Sequence, residues 1–171
     1  MIKKIDRKKL FLILTLIVVG VGVGLYFYMS KNIQKSNSDI EQGTVNYNSK
    51  FKSAETGNII FPAYTENITL KKGKKTLPIL LVNPLANKDI YFQYQFSLID
   101  EKKQSICFGK TKLIKAGQAA KELTVEQKKL KNLSPKSYKC KIDVFAFKYN
   151  KKSKEKTKLN QAYWDIKLHL E

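Results

Sequence analysis

Few side chains in this sequence could supply a thiol or an imidazole for chemistry: Cys107, Cys140 and His169, in a chain of 171 residues. A cysteine nucleophile needs a histidine within hydrogen-bond reach and a third group that orients the ring, and nothing in the spacing of these residues points to that arrangement. They are also too few for the usual zinc sites. The sequence holds no G-x-S-x-G motif and no glycine-rich phosphate-binding loop before a helical pattern. We therefore predict no enzyme, no metal site and no cofactor, with His169 a solvated surface residue.

Lysine accounts for nearly all of the positive charge. The chain holds 33 lysines and arginines against 14 aspartates and glutamates, a formal net charge of +19, and Arg7 is its one arginine. Lysine runs at 71–75, 128–131 and 148–156 predict attraction to an anionic polymer or surface: teichoic acid, anionic lipid or DNA. Because base reading favours the planar fork of arginine, we predict no sequence-specific nucleic-acid binding. The alternative is a solvated face without a ligand.

The first 29 residues have the pattern of a membrane anchor. Residues 1–9 contain five basic residues against Asp6, and residues 10–29 run twenty positions without a charge. A helix of that length spans about 30 Å, the thickness of the hydrocarbon core of a bilayer. Directly after the apolar run come Lys31 and Lys35, fewer positive charges than the five that directly precede it. The positive-inside rule therefore predicts a cytoplasmic tail (1–9), a single transmembrane helix (10–29) and an extracellular remainder.

Two further interpretations concern this apolar run. It could be a cleaved signal peptide, with Leu10–Val19 as its apolar core and the small residues Gly20 and Gly22 before the cut. We favour the uncleaved anchor because apolar residues continue through Phe27, without the polar break that normally precedes cleavage. Gly20 and Gly24 form a G-x-x-x-G pair, which predicts a homodimer through the membrane helix. Alternatively, these glycines reflect only how common glycine is in membrane helices.

The remainder divides into a linker and one domain. Residues 30–56 are polar, rich in Asn, Ser and Lys, and without a sustained hydrophobic period. That composition predicts a flexible extracellular linker. Residues 57–171 are enough for one compact domain.

Period-two hydrophobicity dominates this domain. In residues 90–98, 138–146 and 164–170 apolar and polar positions alternate, which is typical of strands with one buried face. Pro62 and Pro78 lack an N–H and are expected at strand edges, strand ends or bulges. Short strands with almost no helix predict an all-β, antiparallel sandwich. The further predicted elements are strands at 58–61, 67–71, 76–82, 105–108, 112–115 and 119–125, and one helical turn within 126–132.

One stretch makes the fold more specific. Residues 133–144, LSPKSYKCKIDV, resemble the L-x-P-x-x-Y-x-hydrophobic approach to strand F of immunoglobulin-like and fibronectin type III-like domains. Residues 77–84, 90–98 and 113–117 are similar to the N-P and A-G turn pattern of bacterial immunoglobulin-like surface domains. The resemblance implies an immunoglobulin-like sandwich in which Tyr138 folds its hydroxyl back onto the upstream backbone, the tyrosine corner. Unlike antibody-type domains, the chain has no cysteine in the implied strand B, and aromatic residues replace tryptophan in the implied strand C.

The two cysteines permit a disulfide, since both are predicted to be extracellular. A bond between Cys107 and Cys140 would close a loop of about 33 residues and stabilise the fold by about 3–4 kcal/mol in the chain-entropy model. Cys140 lies on the buried parity of its strand, however, where a cysteine commonly packs as a small hydrophobe. Cys107 is outside the implied strand B, so the B–F bridge of antibody domains is not formed. Both outcomes remain open from the sequence.

Strand parity places aromatic residues on the solvent side of the domain. The implied strands C, F and G are neighbours in one sheet of an immunoglobulin-like domain. Their outward aromatic side chains would form an exposed apolar patch, which usually marks a partner site. The alternative is a β-bulge near 143–144 that turns the phenylalanines inward. The residues of this predicted patch are Tyr91, Phe145, Phe147, Tyr149 and Tyr163.

Together these features predict a single-pass protein of a Gram-positive-type cell membrane, with its C-terminal domain extracellular. The predicted function is a non-catalytic protein-interaction module of an envelope assembly, such as a secretion, conjugation or surface-structure complex. The alternative is a lysine-rich surface protein that binds an anionic polymer electrostatically. Salt separates the two, because polyanion binding weakens steeply as salt rises, whereas binding through an aromatic patch persists.

Overall fold

The described part of the chain, residues 38–47, 58–100 and 102–171 of a computed structural model, consists almost entirely of β-strands. This agrees with the predicted all-β class. The helical element found within the described residues, α1 (Gln127–Leu130), is a single turn within the predicted range. The strands are β1 (Val45–Asn46), β2 (Asn67–Leu70), β3 (Thr76–Asn83), β4 (Ile90–Ile99), β5 (Ser105–Lys110), β6 (Ile114–Lys115), β7 (Gln118–Thr124), β8 (Lys136–Tyr149) and β9 (Lys156–Leu170).

The strands form two sheets. In the three-stranded sheet the order is β1-β7-β3, and in the six-stranded sheet it is β2-β9-β8-β4-β5, with β6 also paired to β4. The pairings are antiparallel except that of β2 with β9, which is parallel. The six-stranded sheet is therefore mixed, where the sequence predicted antiparallel pairing throughout. A long connection between two strands permits parallel pairing, and β2 and β9 are far apart in the chain.

One hydrophobic core lies between the sheets. β4 contributes Phe92, Tyr94, Phe96 and Leu98, which are all fully buried, and the other sheet contributes residues such as Leu123 to the same cluster. Across β4 and β8 large side chains face small ones, as where Phe92 pairs with Ala146. Burying one such apolar side chain stabilises a fold by about 1.5–3 kcal/mol. The side chains that the hydrophobic alternation predicted to point inward are therefore the ones that form the core.

Pro78 lies where a residue without an N–H is tolerated. It is in β3, an edge strand of the three-stranded sheet, and the register of β3 against β7 shifts between Pro78 and Leu81. The expectation of an edge or bulge position is confirmed for Pro78, whereas Pro62 lies in a segment that forms no strand.

Residues 58–61 do not form the predicted strand. The N–H of Ile60 donates to Oδ1 of Asn87 at 2.9 Å, and Nδ2 of Asn87 donates to the carbonyl of Ile60 at 2.8 Å. Nδ2 of Asn87 also donates to Oδ1 of the buried Asn83 at 3.0 Å. Because a side-chain amide offers the same donor and acceptor as a peptide group, Asn87 takes the place of a neighbouring strand.

The folded region begins earlier than the predicted boundary at residue 57. Val45 and Asn46 pair with Ala119 and Gln118, and Ile40 bridges to Leu113. Residues 39–47 therefore belong to the β-domain, although their composition predicted part of the flexible linker (30–56). Pairing with a distant strand needs backbone groups rather than a local apolar pattern, so composition does not reveal it.

The predicted cytoplasmic tail (1–9), the transmembrane helix (10–29) and the pair Gly20 and Gly24 lie outside the described residues. In the described part of the chain, no helix has the length and hydrophobicity needed to cross a bilayer.

Candidate functional site

The five predicted aromatic residues lie on the face of the six-stranded sheet that points away from the core. In β4 and β8 the even-numbered residues of 92–98 and 138–146 are buried in the core. Since successive side chains of a strand point to opposite faces, the odd-numbered residues point outward. We call the following set the outer aromatic face: Tyr91, Phe145, Phe147, Tyr149 and, on β9, Tyr163.

The bulge that would turn the phenylalanines inward does not occur in the pairing of β4 with β8. These two strands keep one register over their whole common length. A β-bulge lies nearby on β9 instead. Ala146 pairs with Asn160 and Phe147 pairs with Lys158, so Leu159 is the extra residue between them. Leu159 is 47% exposed. β8 therefore keeps its parity through both phenylalanines.

The members of the outer aromatic face differ in how much surface they offer. Tyr163 is 59% exposed, whereas Tyr91 is only 9% exposed because Tyr149 packs against it, with ring centroids 5.5 Å apart. Phe145 and Phe147 are half-buried neighbours with ring centroids 6.4 Å apart. The surface that a partner could contact is therefore centred on Phe145, Phe147 and Tyr163, and Tyr91 acts mainly as support for Tyr149.

Two lysines lie over rings of this face. Nζ of Lys158 lies 4.9 Å from the ring centroid of Phe145, and Nζ of Lys141 lies 4.5 Å from that of Tyr163. Both distances suit cation–π attraction. Lys141 also forms a 3.1 Å ion pair with Asp143, a buried residue. The site thus combines apolar rings with an ordered polar rim, the composition of a protein interface.

Sequence reasoning had not singled out this polar rim. Lys141 and Asp143 have the same strand parity as Phe145 and stand directly before it on β8. Parity would have placed them on the outer face. Which of the domain's many lysines contact a ring is decided by pairing with β9, since Lys158 is brought beside Phe145 from that strand.

Asp39 joins the N-terminal part of the domain to one end of this face. Its carboxylate accepts a hydrogen bond of 3.3 Å from the hydroxyl of Tyr149 and lies 3.1 Å from Nζ of Lys156. The hydrogen bond and charge of Lys156 hold the pKa of Asp39 below its ordinary value, against a smaller opposing effect of burial. Residue 39 is therefore held beside the turn that connects β8 and β9.

The two cysteines are free in this structure. Cys107 pairs with Ser97 and Cys140 pairs with Leu98, its neighbour in β4. Because consecutive residues of β4 face opposite sides, the two thiols lie on opposite faces of the sheet. The possible disulfide is not formed for that reason. Burial raises the pKa of the Cys140 thiol to about 12.

His169 contacts a serine that the sequence had not linked to it. Oγ of Ser137 lies 2.7 Å from Nδ1 of His169, and Oδ1 of Asn67 lies 3.3 Å from Nε2. A serine nucleophile needs a carboxylate or equivalent group to stabilise the charged ring, and Asn67 carries no charge. The three residues lie on adjacent strands, β8, β9 and β2, at directly paired or nearby positions. The arrangement fits a hydrogen-bonded link across three strands.

Tyr138 forms the bond that the resemblance implies. Its hydroxyl donates to the carbonyl of Ser134 at 2.9 Å, and the side chain is 6% exposed at the start of β8. This bond fixes the entry of the chain into the central strand of the six-stranded sheet.

No group of three or more His, Cys, Asp or Glu side chains within residues 38–47, 58–100 and 102–171 is close enough to hold a metal ion. A scan of protein-family models matches no family, and neither curated proteins nor solved structures give a match to the chain.

Proposed function

We propose that this chain is a membrane-anchored, extracellular and non-catalytic protein-interaction module of a Gram-positive-type envelope assembly, such as a secretion, conjugation or surface-structure complex. The observation that carries the proposal is the outer aromatic face. Three accessible rings, Phe145, Phe147 and Tyr163, lie together on paired strands. Aromatic residues with a polar surround are enriched at protein interfaces and often dominate their binding energy.

The proposed fold of the domain is an immunoglobulin-like sandwich. In such a domain strands B and E pair in one sheet, while G, F and C are neighbours in the other. The pairing of β3 with β7 and the order β9-β8-β4 support this assignment. The bond from Tyr138 to Ser134 supports it as well, since it matches the tyrosine corner.

The proposed location depends on the N-terminal segment. Twenty uncharged residues after a basic tail support a single-pass anchor with its N-terminus in the cytoplasm. The β-domain would then stand on the outer surface, where an envelope protein is its partner. Gly20 and Gly24 support a homodimer through the anchor.

A site-specific crosslink in living cells tests the partner site. A photoreactive phenylalanine analogue at Tyr163 should crosslink to one defined envelope protein, because this ring is the most exposed of the face. The same probe at Lys121, an exposed residue of β7 in the other sheet, is the matched control. Crosslinking from position 163 should be lost when Phe145 and Phe147 are changed to alanine, and the control should give no such product.

The melting temperature of the alanine variant decides how the crosslink is interpreted. Both phenylalanines lie outside the core, so the double variant should melt close to the parent chain. Loss of the crosslink with unchanged melting supports the partner site. A large fall in stability, or a crosslink that survives the double substitution, refutes it.

The second candidate function is electrostatic binding of an anionic polymer. It is favoured by one observation: the lysines of 71–75 and of 151–154 are exposed on turns. Binding of this kind weakens steeply between low and moderate salt. Binding that persists at moderate salt supports the aromatic interface, and binding that is lost supports the polymer.

A further inference from the structure

The turn between β8 and β9 adjoins the outer aromatic face at its Tyr149 end. Residues 148–158, the lysine turn, contain six lysines against one glutamate, and positions 150–158 are exposed. Asn150 orders the turn. Its N–H donates to the carbonyl of Glu155 at 3.0 Å, and its Oδ1 accepts from the N–H groups of Lys152 and Ser153 at 2.9 and 3.3 Å. The lysines are therefore carried on a hydrogen-bonded turn.

A cleft of about 670 Å³ opens beside the lysine turn. Lys148, Lys151 and Lys152 line it together with the rings of Tyr91 and Tyr149, and its lysines outnumber its carboxylates three to two. Lysine ammonium groups bind phosphate oxygens as point charges, and tyrosine rings favour the headgroup region of a bilayer. The cleft therefore has the chemistry to receive an anionic phosphate headgroup.

The length of chain before the domain limits how far this turn can lie from the predicted membrane segment. Asp39 is bound to Tyr149 and Lys156 at the lysine turn. The apolar run ends at Met29, ten residues earlier. Ten residues of fully extended chain span at most about 36 Å. Asp39, and the turn to which it is bound, can therefore lie no further than that from Met29.

A comparably charged turn lies at the other end of the same sheet. Residues 71–75 follow β2, whose last residue, Leu70, pairs with Leu170. Leu170 in turn pairs with Lys136, the first residue of β8, whereas the lysine turn begins at the last residues of β8. A strand of fourteen residues separates the two ends by about 40 Å. Asp39 is bound at the end that carries the lysine turn.

We propose that the lysine turn docks on anionic lipid headgroups of the bilayer that holds the chain; the inference rests on the membrane anchor proposed above. Attraction of lysine to an anionic leaflet acts within about 10 Å at 0.1 M salt. A glycerol phosphate polymer offers the same phosphate chemistry. The connection to Met29 favours the lipid, because it limits Asp39, at the lysine turn, to within about 36 Å of the end of the predicted anchor.

Amide hydrogen exchange of the full chain in nanodiscs tests the proposal. One set of nanodiscs contains phosphatidylcholine alone and the other contains added phosphatidylglycerol. Exchange at residues 150–154 should slow about tenfold with phosphatidylglycerol, and this slowing should disappear at high salt. Exchange at residues 71–75 is the internal reference and should not change. No slowing at 150–154, or equal slowing at both turns, overturns the proposal.

Two matched variants and a soluble polymer sharpen the test. The triple variant K151E/K152E/K154E should abolish the slowing of exchange by phosphatidylglycerol. The variant K71E/K74E/K75E should keep this slowing. Equal behaviour of the two variants overturns the proposal. Soluble poly(glycerol phosphate), added to phosphatidylcholine nanodiscs at the same phosphate concentration, should leave 150–154 unchanged. Equal slowing by the polymer overturns the choice of lipid.

The outcome also separates this inference from the proposed anchor. A chain that does not copurify with nanodiscs refutes the membrane anchor itself. A chain that does copurify, but whose lysine turn exchanges identically in both lipids, refutes only the lipid docking.

Discussion

The hydroxyl of Tyr94, in β4 of the six-stranded sheet, donates a hydrogen bond to the carbonyl of Val82, in β3 of the other sheet. The hydroxyl of Tyr64 donates to that of Tyr94 at 2.8 Å. Tyr94 is completely buried, so this bond joins the two sheets inside the core.

We expect Tyr94→Phe to lower the free energy of unfolding by about 1–2 kcal/mol, because buried polar groups lose a partner. Urea denaturation of the full chain in detergent measures the change. The control is Tyr163→Phe, whose ring is 59% exposed and whose effect should stay within about 0.5 kcal/mol. Equal effects of the two substitutions would contradict this role of the Tyr94 hydroxyl.

Stability should fall at alkaline pH. Burial raises the pKa of Tyr94 well above its ordinary value of 10.0 and also raises that of Tyr64. Above about pH 10 the folded chain therefore keeps protons that the unfolded chain loses. The stability that the two neutral phenols contribute is complete below the pKa of tyrosine in the unfolded chain. It is lost as the pH rises above that value. Urea midpoints across this range should decrease, and the decrease should be smaller in Tyr94→Phe. An identical pH dependence in that variant would contradict the assignment.

The two thiols should differ in reactivity. The thiolate is the reactive form, and Cys140 is 2% exposed with its pKa raised to about 12, whereas Cys107 is half-buried at the sheet edge. N-ethylmaleimide should modify Cys107 in the folded chain and Cys140 only after unfolding, as measured by mass spectrometry. The single variants Cys107→Ser and Cys140→Ser assign each product. If neither thiol of the unreduced chain reacts, even after the chain is unfolded, the two cysteines form a disulfide instead.

Asn87 should be more important than its position in a loop suggests. Asn87→Asp keeps an acceptor for the N–H of Ile60 but loses the donor to the carbonyl of Ile60 and to Asn83. It also buries a carboxylate in a position that is 1% exposed. We expect a loss of about 2–3 kcal/mol in the free energy of unfolding. Asn132→Asp, at an exposed position, is the matched control and should change little. A small effect at Asn87 would mean that residues 58–61 are held by other contacts.

The sequence was most informative where hydrophobic alternation continued along a strand. The alternation in 90–98 and 138–146 predicted which side chains enter the core and which form the outer aromatic face, and the structure has both sets on those faces. Tyr138 was identified by a short motif, because its hydrogen-bond partner, Ser134, is only four residues away. Local patterns such as these are set by strand geometry, which repeats every two residues.

Features that depend on pairing between distant segments could not be predicted. The strand at 45–46 has no apolar period of its own and exists because β7 supplies its hydrogen bonds. The predicted strand at 58–61 has the right composition, yet its backbone is bound by the side chain of Asn87. Backbone groups are the same in every residue, so their partners depend on which segments become neighbours in space.

By itself, the sequence determined the all-β class, the inward and outward faces of the long strands, and the aromatic residues of the outer face. Only the tertiary structure decided that Cys107 and Cys140 lie on opposite faces, that Lys158 contacts Phe145, and that Asp39 is bound at the lysine turn. The physical reason is the range of the interactions. Alternation is a local property of each strand, whereas register and edge contacts arise from segments that are up to 117 residues apart in the chain.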